Sequence, residues 1–378
     1  MSDDDGFARL RARLAALDLS PIDDVGRGVW IYGAGGFGRS VARALRRAGR
    51  PVLGFIDRKA GEAARVDGLA CRRPESLALA DVDGAFYVHG LLNHYFPTRD
   101  IAEWAAGRGF AGLLFPPDLY RIAGVDLRNY WLAPPRETLD HLDAIGRLHD
   151  ALDDAESRTL LADLLVYRLS GDPRLHPEVN HDSMYAPDFL PIRGRPLTFV
   201  DGGAYNGDTL EALLAQGVDI ADWIAFEPDA RNLAALRATA ARLAGRLGAF
   251  SLLPFGLADR NGTVGFVEGE GEASHLVETP GPDFAGATIP IVRLDDAIQR
   301  PAGAIYVKLD IEGAEPEALA GMARLLAQKP ILAVSVYHKP SHLWDIPLAL
   351  KAAHGATRLR LRQHSHHAFD TVVYAWPD

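Results

Sequence analysis

Cysteine is nearly absent: Cys71 is the only one in 378 residues. No intrachain disulfide can form, and nothing points to an oxidising compartment. Lysine is scarce too, with five against 35 arginines, a bias that reads as gene base composition rather than a binding signal. Positive charge is in deficit overall. The formal net charge of −10 disfavours nonspecific binding to nucleic acid or to an anionic membrane surface. A local basic patch stays open around Thr357–Gln363, "TRLRLRQ". Long apolar runs are also missing. "PILAVSVY", Pro330 to Tyr337, is far too short to span a bilayer, so no transmembrane segment is expected. The acidic start "MSDDDGF" lacks the basic residues and apolar run of a signal peptide, and the expected location is the cytoplasm. What remains is an ordinary globular composition, 48% hydrophobic and 24% charged, with length enough for two cores.

Strand-like and helix-like segments alternate twice. "GVWIYG", "PVLGFIDR", "GAFYVHG" and "GLLFPPDLY" read as strands, with helical "GRSVARALRRAG" and "RDIAEWAAGRG" between them. Such alternation argues for right-handed βαβ units and a parallel sheet. Between residues 126 and 196 the pattern changes. "ETLDHLDAIGRLHDAL" and "AESRTLLADLLVYRLSG" have helical periodicity, and a Pro- and Asp-rich loop follows. From residue 197 the alternation resumes through "LTFVDGG", "WIAFEP", "FSLLPFGL", "AIYVKLDI", "ILAVSVYH", "RLRLRQH" and "DTVVYAW". The last two lie close together and predict an antiparallel pair at one sheet edge. The expected fold is therefore α/β with two doubly wound domains: a Rossmann-like accessory domain over 1–125, a helical connector over 126–196, and a seven-stranded domain over 197–378.

Two glycine turns stand out. The second, "FVDGGAYNGDT", places Asp201 at a strand end, then Gly203 and Gly207, then a helix start. Twenty residues after Gly207, Glu227 ends the next strand in "AFEPD". A carboxylate there can accept both hydroxyls of a ribose. Asp201 would repel a pyrophosphate, whereas it suits a region near a cationic sulfonium and an ammonium. The pairing fits S-adenosylmethionine better than a dinucleotide.

Several segments in order, "FVDGGAYNGDT", "FEPD", "PFGLADRNGTVGF", "VRLDDAI" and "YVKLDIEGAEPEAL", resemble the FkbM family of S-adenosylmethionine-dependent methyltransferases from about Leu160 onward. "SVYHKPSHLWDIPLAL" and "SHHAFDTVVYA" resemble its longer, two-domain members. The resemblance implies the seven-stranded class I methyltransferase sheet, with which the strand count agrees. It also implies methyl transfer from S-adenosylmethionine to an oxygen, often a sugar hydroxyl of a polysaccharide, glycolipid or nucleotide-sugar. By position it puts Asp201, Gly203, Asn206, Gly207 and Thr209 along the methionine half, with Ala204 and Tyr205 in the same turn. It puts Glu227, beside Pro228, on the ribose, and Gly256, Leu257 and Asp259 along the adenine. A third glycine often occupies the Tyr205 position in the broader methyltransferase pattern.

The candidate catalytic residues end two strands. In "YVKLDIEGAE", alternation brings Lys308, Asp310 and, roughly, Glu312 to one face at the ligand end of the sheet. His338 and Lys339 end the next strand. A sugar hydroxyl needs its proton removed as the methyl moves. A histidine with an ordinary value near 6.5 is largely neutral at pH 7, so His338 is the expected base, with Asp310 and Glu312 orienting the acceptor or a metal. The bland alternative is a structural ion-pair cluster. Whether Asp310, Glu312 and His338 hold Mg²⁺ or Mn²⁺ is open. The run His364 to His367, "HSHH", reads as a strand end with exposed imidazoles.

The first turn, "GAGGFG" with Gly33, Gly35 and Gly38, meets the dinucleotide spacing, and Asp57 lies nineteen residues past Gly38. The region from about Val29 to Tyr120 resembles the amino-terminal domain of bacterial sugar O-acyltransferases. Three uses stay open: a nucleotide or nucleotide-sugar site, with His89, Asn93 and Arg99 as contacts; a packing or docking domain; or an NAD site. The favoured reading is an O-methyltransferase acting on a carbohydrate or glycoconjugate. An NAD-dependent sugar-modifying oxidoreductase and a nonenzymatic nucleotide-ligand sensor are the alternatives. Nothing in the sequence sets the oligomeric state.

Overall fold

The computed structural model describes residues 4–267, 275–277, 287–299, 301, 303–354 and 357–378. In the first α/β block, strands β1 (Val29–Tyr32), β2 (Val52–Ile56), β3 (Arg65–Val66), β4 (Leu69–Arg72), β5 (Phe86–His89) and β6 (Gly112–Leu114) form one sheet in the order β3-β4-β2-β1-β5-β6. All its pairings are parallel except β3 with β4. The order reverses between β1 and β5, the position where ligands bind in sheets of this kind.

The second block supplies β7 (Leu197–Gly202), β8 (Ile220–Phe226), β9 (Ala249–Leu253), β10 (Gly256–Leu257), β11 (Gly262–Val267), β12 (His275–Val277), β13 (Ala287–Val292), β14 (Ala304–Leu309), β15 (Ile331–Ser335), β16 (Thr357–Gln363) and β17 (Thr371–Pro377). Seven of them form a sheet in the order β16-β17-β15-β14-β7-β8-β9. β17 runs antiparallel to both neighbours, as the closely spaced final strands predict. All six residues of β7 are buried, as a central strand covered on both faces requires. The reversal falls between β7 and β14.

"FSLLPFGL" does not form the single strand its sequence suggests. Pro254 and Phe255 break it, so β9 joins the large sheet. β10 starts a four-stranded sheet, β10-β13-β11-β12, that the alternation pattern does not reveal.

The helices between the blocks tie the two sheets together. Asp154 caps the helix Ala155–Ser170 by accepting the Ser157 N–H, and Gly171, at φ 64°, ends it. One buried apolar cluster runs from Val29 and Val88 through Leu161, Leu164 and Leu165 of this helix to Leu359, Leu361 and Val373. A polar chain follows the same path. Tyr87 Oη lies 2.7 Å from His89 Nδ1, His89 Nε2 3.0 Å from Thr98 Oγ1, and Thr98 Oγ1 3.1 Å from His367 Nε2. His367 Nδ1 lies 2.9 Å from Tyr167 Oη. Burial pulls His89 down to about 3 and His367 well below the ordinary imidazole range, so both are neutral links. The carboxyl end of the first sheet is thereby fixed against the 364–370 loop beside the large sheet's reversal point.

Candidate active site

The second glycine turn opens onto a cavity of about 640 Å³, large enough for a cofactor. Gly203, Tyr205, Thr209, Glu227, Pro228, Gly256 and Leu257 line it, as do Lys308, Asp310 and Glu312. The backbone makes this geometry. Gly203 sits at φ 74°, where a side-chain carbon would lie 1.9 Å from the Asp310 carbonyl oxygen. Only glycine lets β7 and β14 approach so closely at the reversal point. Glu227 ties the turn together. Its Oε2 accepts the Tyr205 N–H (2.9 Å) and its Oε1 accepts the Asp229 N–H (2.9 Å). Burial raises its carboxyl above the usual range, while these bonds hold it down. Phe226, Phe255 and Ile289 supply apolar wall, and Asp229 and Asn232 polar rim.

Some expected contacts lie elsewhere. Asp201 is fully buried and does not line the cavity. Its Oδ1 lies 3.3 Å from Lys308 Nζ, so its charge is spent on that lysine rather than on a ligand. Lys308 also donates to the Gly203 carbonyl at 2.5 Å. The pair clamps the turn from behind. Burial pulls the Lys308 ammonium down, but Asp201 and Asp310 outweigh it and hold it above its ordinary value. Asn206 turns back to accept the Asp208 N–H, and Gly207, at φ 88°, starts the following helix. Ala204 is buried and its N–H donates to the Phe226 carbonyl. Asp259 faces Arg260 at 3.2 Å on the surface.

Beyond the turn, Asp310 accepts hydrogen bonds from Tyr185 Oη (3.1 Å) and Tyr337 Oη (3.4 Å). His338 stands behind it. Its Nε2 is 3.4 Å from Asp310 and 3.8 Å from Glu312, and its Nδ1 is 2.9 Å from Glu315 Oε1. Glu315, 0% exposed, also lies 3.3 Å from His342 and accepts the Ile311 N–H at 2.9 Å. Burial disfavours the His338 charge, yet Glu315, Asp310 and Glu312 together push it up to about 9. A ring held that high disfavours the neutral His338 expected as base. Burial likewise opposes the Glu315 charge, and His338 and His342 hold that carboxyl well below the usual range.

Glu312 differs from its neighbours. Its backbone adopts φ 56°, a costly conformation for a residue with a side chain. Its side chain is 52% exposed. Desolvation raises its carboxyl; His338 pulls it down, and Asp310, Glu315 and Asp370 push it up, leaving it above the usual range. Asp310, Glu315 and His338 come within the mutual reach of metal ligands. Glu315 lies against one nitrogen of the His338 ring and Asp310 and Glu312 against the other; a metal held there would take the place of the ring's proton.

The sequence reading missed Tyr185, Glu315, His342 and Tyr130. Tyr130, at φ 49°, is carried on the short 129–132 bridge, and its ring centroid lies 6.1 Å from that of His338.

The first turn is built like the second. Asp57 Oδ2 accepts the Ala34 N–H (3.0 Å) and its Oδ1 the Lys59 N–H (2.8 Å). A side-chain carbon at Gly38 would meet the Gly33 carbonyl at 1.9 Å, so Gly38 serves helix–strand packing. Leu91 covers Gly33, within 2.6 Å of where a side chain would begin, and Gly35 faces open space. The suggested contacts are structural: His89 is buried in the polar chain, Asn93 accepts the Tyr95 and Phe96 N–H groups, and Arg99 donates to the Arg174 carbonyl. Nor does "HSHH" present a row of exposed imidazoles. His367 is buried, and half-buried His364 lies 2.6 Å from Tyr374 Oη.

Residues 201–368 match the profile described as the Methyltransferase FkbM domain. Nothing among curated proteins matches the chain. Among solved structures, a methyltransferase FkbM from Methylobacillus flagellatus KT aligns over 99% of both chains, with 22% identity and a TM-score of 0.76. A precorrin-6y C5,15-methyltransferase from Geobacter metallireducens GS-15 aligns over 50% of this chain and 83% of its own, with 14% identity and a TM-score of 0.29. No helix among the described residues is long and apolar enough to cross a membrane. The profile over 201–368 and the end-to-end likeness in fold agree: the chain carries a methyltransferase domain of the FkbM family within a two-sheet fold that an FkbM methyltransferase shares.

Proposed function

We propose that the protein is an S-adenosylmethionine-dependent O-methyltransferase acting on a sugar hydroxyl. The observation that carries the reading is the continuity of one cavity from the Glu227 turn to the Asp310–Glu312 cluster. A nucleoside-bearing cofactor and a hydroxyl acceptor would meet there. Glu227 would take the ribose hydroxyls, Gly256, Leu257 and Phe255 the adenine, and Gly203 and Thr209 the methionine end. The cofactor, when bound, supplies an electrophilic methyl group. Asp310, steadied by Tyr185 and Tyr337, accepts a hydrogen bond from the acceptor hydroxyl and orients it. Glu312 removes the proton: its carboxyl is held above the usual range, and its exposure lets the proton leave to water. The His338 imidazolium holds the two carboxylates side by side. Lys308 and Asp201 keep the turn rigid.

Incubation with S-[methyl-¹³C]adenosylmethionine and an extracted glycan pool tests this. The expected product is a ¹³C-labelled methyl ether on a sugar. Label appearing only on nitrogen or carbon would overturn the oxygen assignment. Thermal stabilisation by NAD and none by S-adenosylhomocysteine would replace the whole reading with the oxidoreductase.

A further inference from the structure

Asp201, the carboxylate that the sequence offers to a bound ammonium, is buried and held by Lys308. Among the described residues five other acids line the cavity: Asp208, Glu227, Asp229, Asp310 and Glu312. Four of them are engaged. Glu227 accepts the Tyr205 and Asp229 N–H groups. Asp229 caps the helix Ala230–Leu243 by accepting the Arg231 and Asn232 N–H groups. Asp310 accepts the Tyr185 and Tyr337 hydroxyls, and Glu312 faces His338 at 3.8 Å.

Asp208 differs. It opens the helix Asp208–Ala215 and is exposed. Its N–H donates to Asn206 Oδ1 at 3.1 Å, and its Oδ1 accepts the N–H of Thr209, also on the cavity wall, at 2.8 Å. These bonds fix where the carboxylate stands. It stands at the Gly203 end. Burial raises the Asp201 carboxyl, Lys308 opposes the rise, and the Asp208 charge adds to it. Asp208 thus lies within electrostatic reach of the pair that backs Gly203, whose carbonyl Lys308 holds at 2.5 Å. Among the described residues no cation pairs with Asp208. An uncompensated carboxylate on a cavity wall favours a cationic group on the ligand.

We infer that Asp208 binds the ammonium at the amino-acid end of S-adenosylmethionine, the role that Asp201 cannot fill. The inference rests on the proposed cofactor site. Ribose at Glu227 and adenine at Gly256 and Leu257 leave the Gly203 end of the cavity for the amino acid. There Asp208 Oδ2 accepts from the ammonium while Oδ1 keeps the Thr209 N–H. Asp208 thereby makes the cavity select a nucleoside that carries an amino acid over the nucleoside alone.

Isothermal titration of the full chain, as wild type and as Asp208→Asn, tests this with two ligands. S-adenosylhomocysteine carries the ammonium; 5′-methylthioadenosine has the nucleoside and lacks the amino acid. The amide keeps the oxygen that accepts the Thr209 N–H and removes the charge, so the variant should fold, and the unfolding midpoints of the ligand-free proteins should agree. S-adenosylhomocysteine should bind Asp208→Asn about tenfold or more weakly, and the difference should shrink in salt. 5′-Methylthioadenosine should not distinguish the two proteins. Equal S-adenosylhomocysteine affinity in wild type and variant overturns the inference, as does a parallel loss for both ligands, which would make Asp208 only a structural part of the turn. Failure of S-adenosylhomocysteine to bind wild type instead removes the reading on which the inference rests.

Discussion

Replacing Glu315 by Gln removes one charge from the centre of the Asp310–Glu312–His338 cluster and leaves a group of nearly the same shape. Glu315 is fully buried and lies against both His338 and His342. Its negative charge is the largest influence holding His338 up to about 9, against burial and with help from Asp310 and Glu312. The gap between about 9 and the ordinary 6.5 corresponds to about 3 kcal/mol of preference for the charged ring in the folded protein. The sign follows from linkage. A histidine raised on folding contributes stability that is complete below pH 6.5 and is lost as pH rises through about 9. Wild type should therefore lose stability between these limits, and Glu315→Gln should lose much less. Urea unfolding at intervals from pH 6 to 10 measures the difference, and ¹⁵N imidazole NMR follows the His338 ring directly. Parallel pH profiles for the two proteins, or a wild-type His338 titrating near 6.5, would refute the reasoning.

Glu312→Gln should lower the single-turnover methyl-transfer rate by about 10²–10⁴ and leave S-adenosylhomocysteine affinity unchanged; an unaffected rate, with the loss falling on Asp310→Asn alone, would move the base to Asp310. Lys308→Met strands the Asp201 carboxylate and should cost about 3–5 kcal/mol of stability, which Asp201→Asn in the same chain should largely restore; equal stabilities by chemical denaturation would show that the pair is not clamping the turn. A chelator should leave turnover at pH 7 unchanged, because Glu312 lines the cavity and is placed to take the proton itself. Activity lost to chelation and regained with Mg²⁺ would instead make the cluster a metal centre.

The sheets were legible because alternation and glycine turns are local. "FVDGGAYNGDT" with Glu227 twenty residues past Gly207 located the turn and the cavity wall, and the short spacing of β16 and β17 announced the antiparallel edge. What stayed hidden was depth and pairing across distance. Alternation puts Asp201 on its strand's face but does not reveal that it lies outside the cavity lining, paired with Lys308. Glu315 reads as an ordinary acidic helix start, yet folding seats it against a histidine 23 residues later. That contact raises His338 and disfavours it as a base. Tyr185 and Tyr130 arrive from segments with no catalytic pattern, a proline-rich loop and a tight turn. The four-stranded sheet escaped because β10 has only two residues and continues directly from a strand of the larger one.

The central claim is that the cofactor sits at the Glu227 turn and not at the Asp57 turn. Isothermal titration of S-adenosylhomocysteine into wild type, Glu227→Ala and Asp57→Ala tests it most directly. Loss of charge-assisted hydrogen bonds to the ribose should weaken Glu227→Ala by about 1.5–3 kcal/mol, roughly 10- to 150-fold. Asp57→Ala should bind like wild type. Unchanged affinity in Glu227→Ala, together with loss in Asp57→Ala, would place the cofactor in the first block and contradict the account.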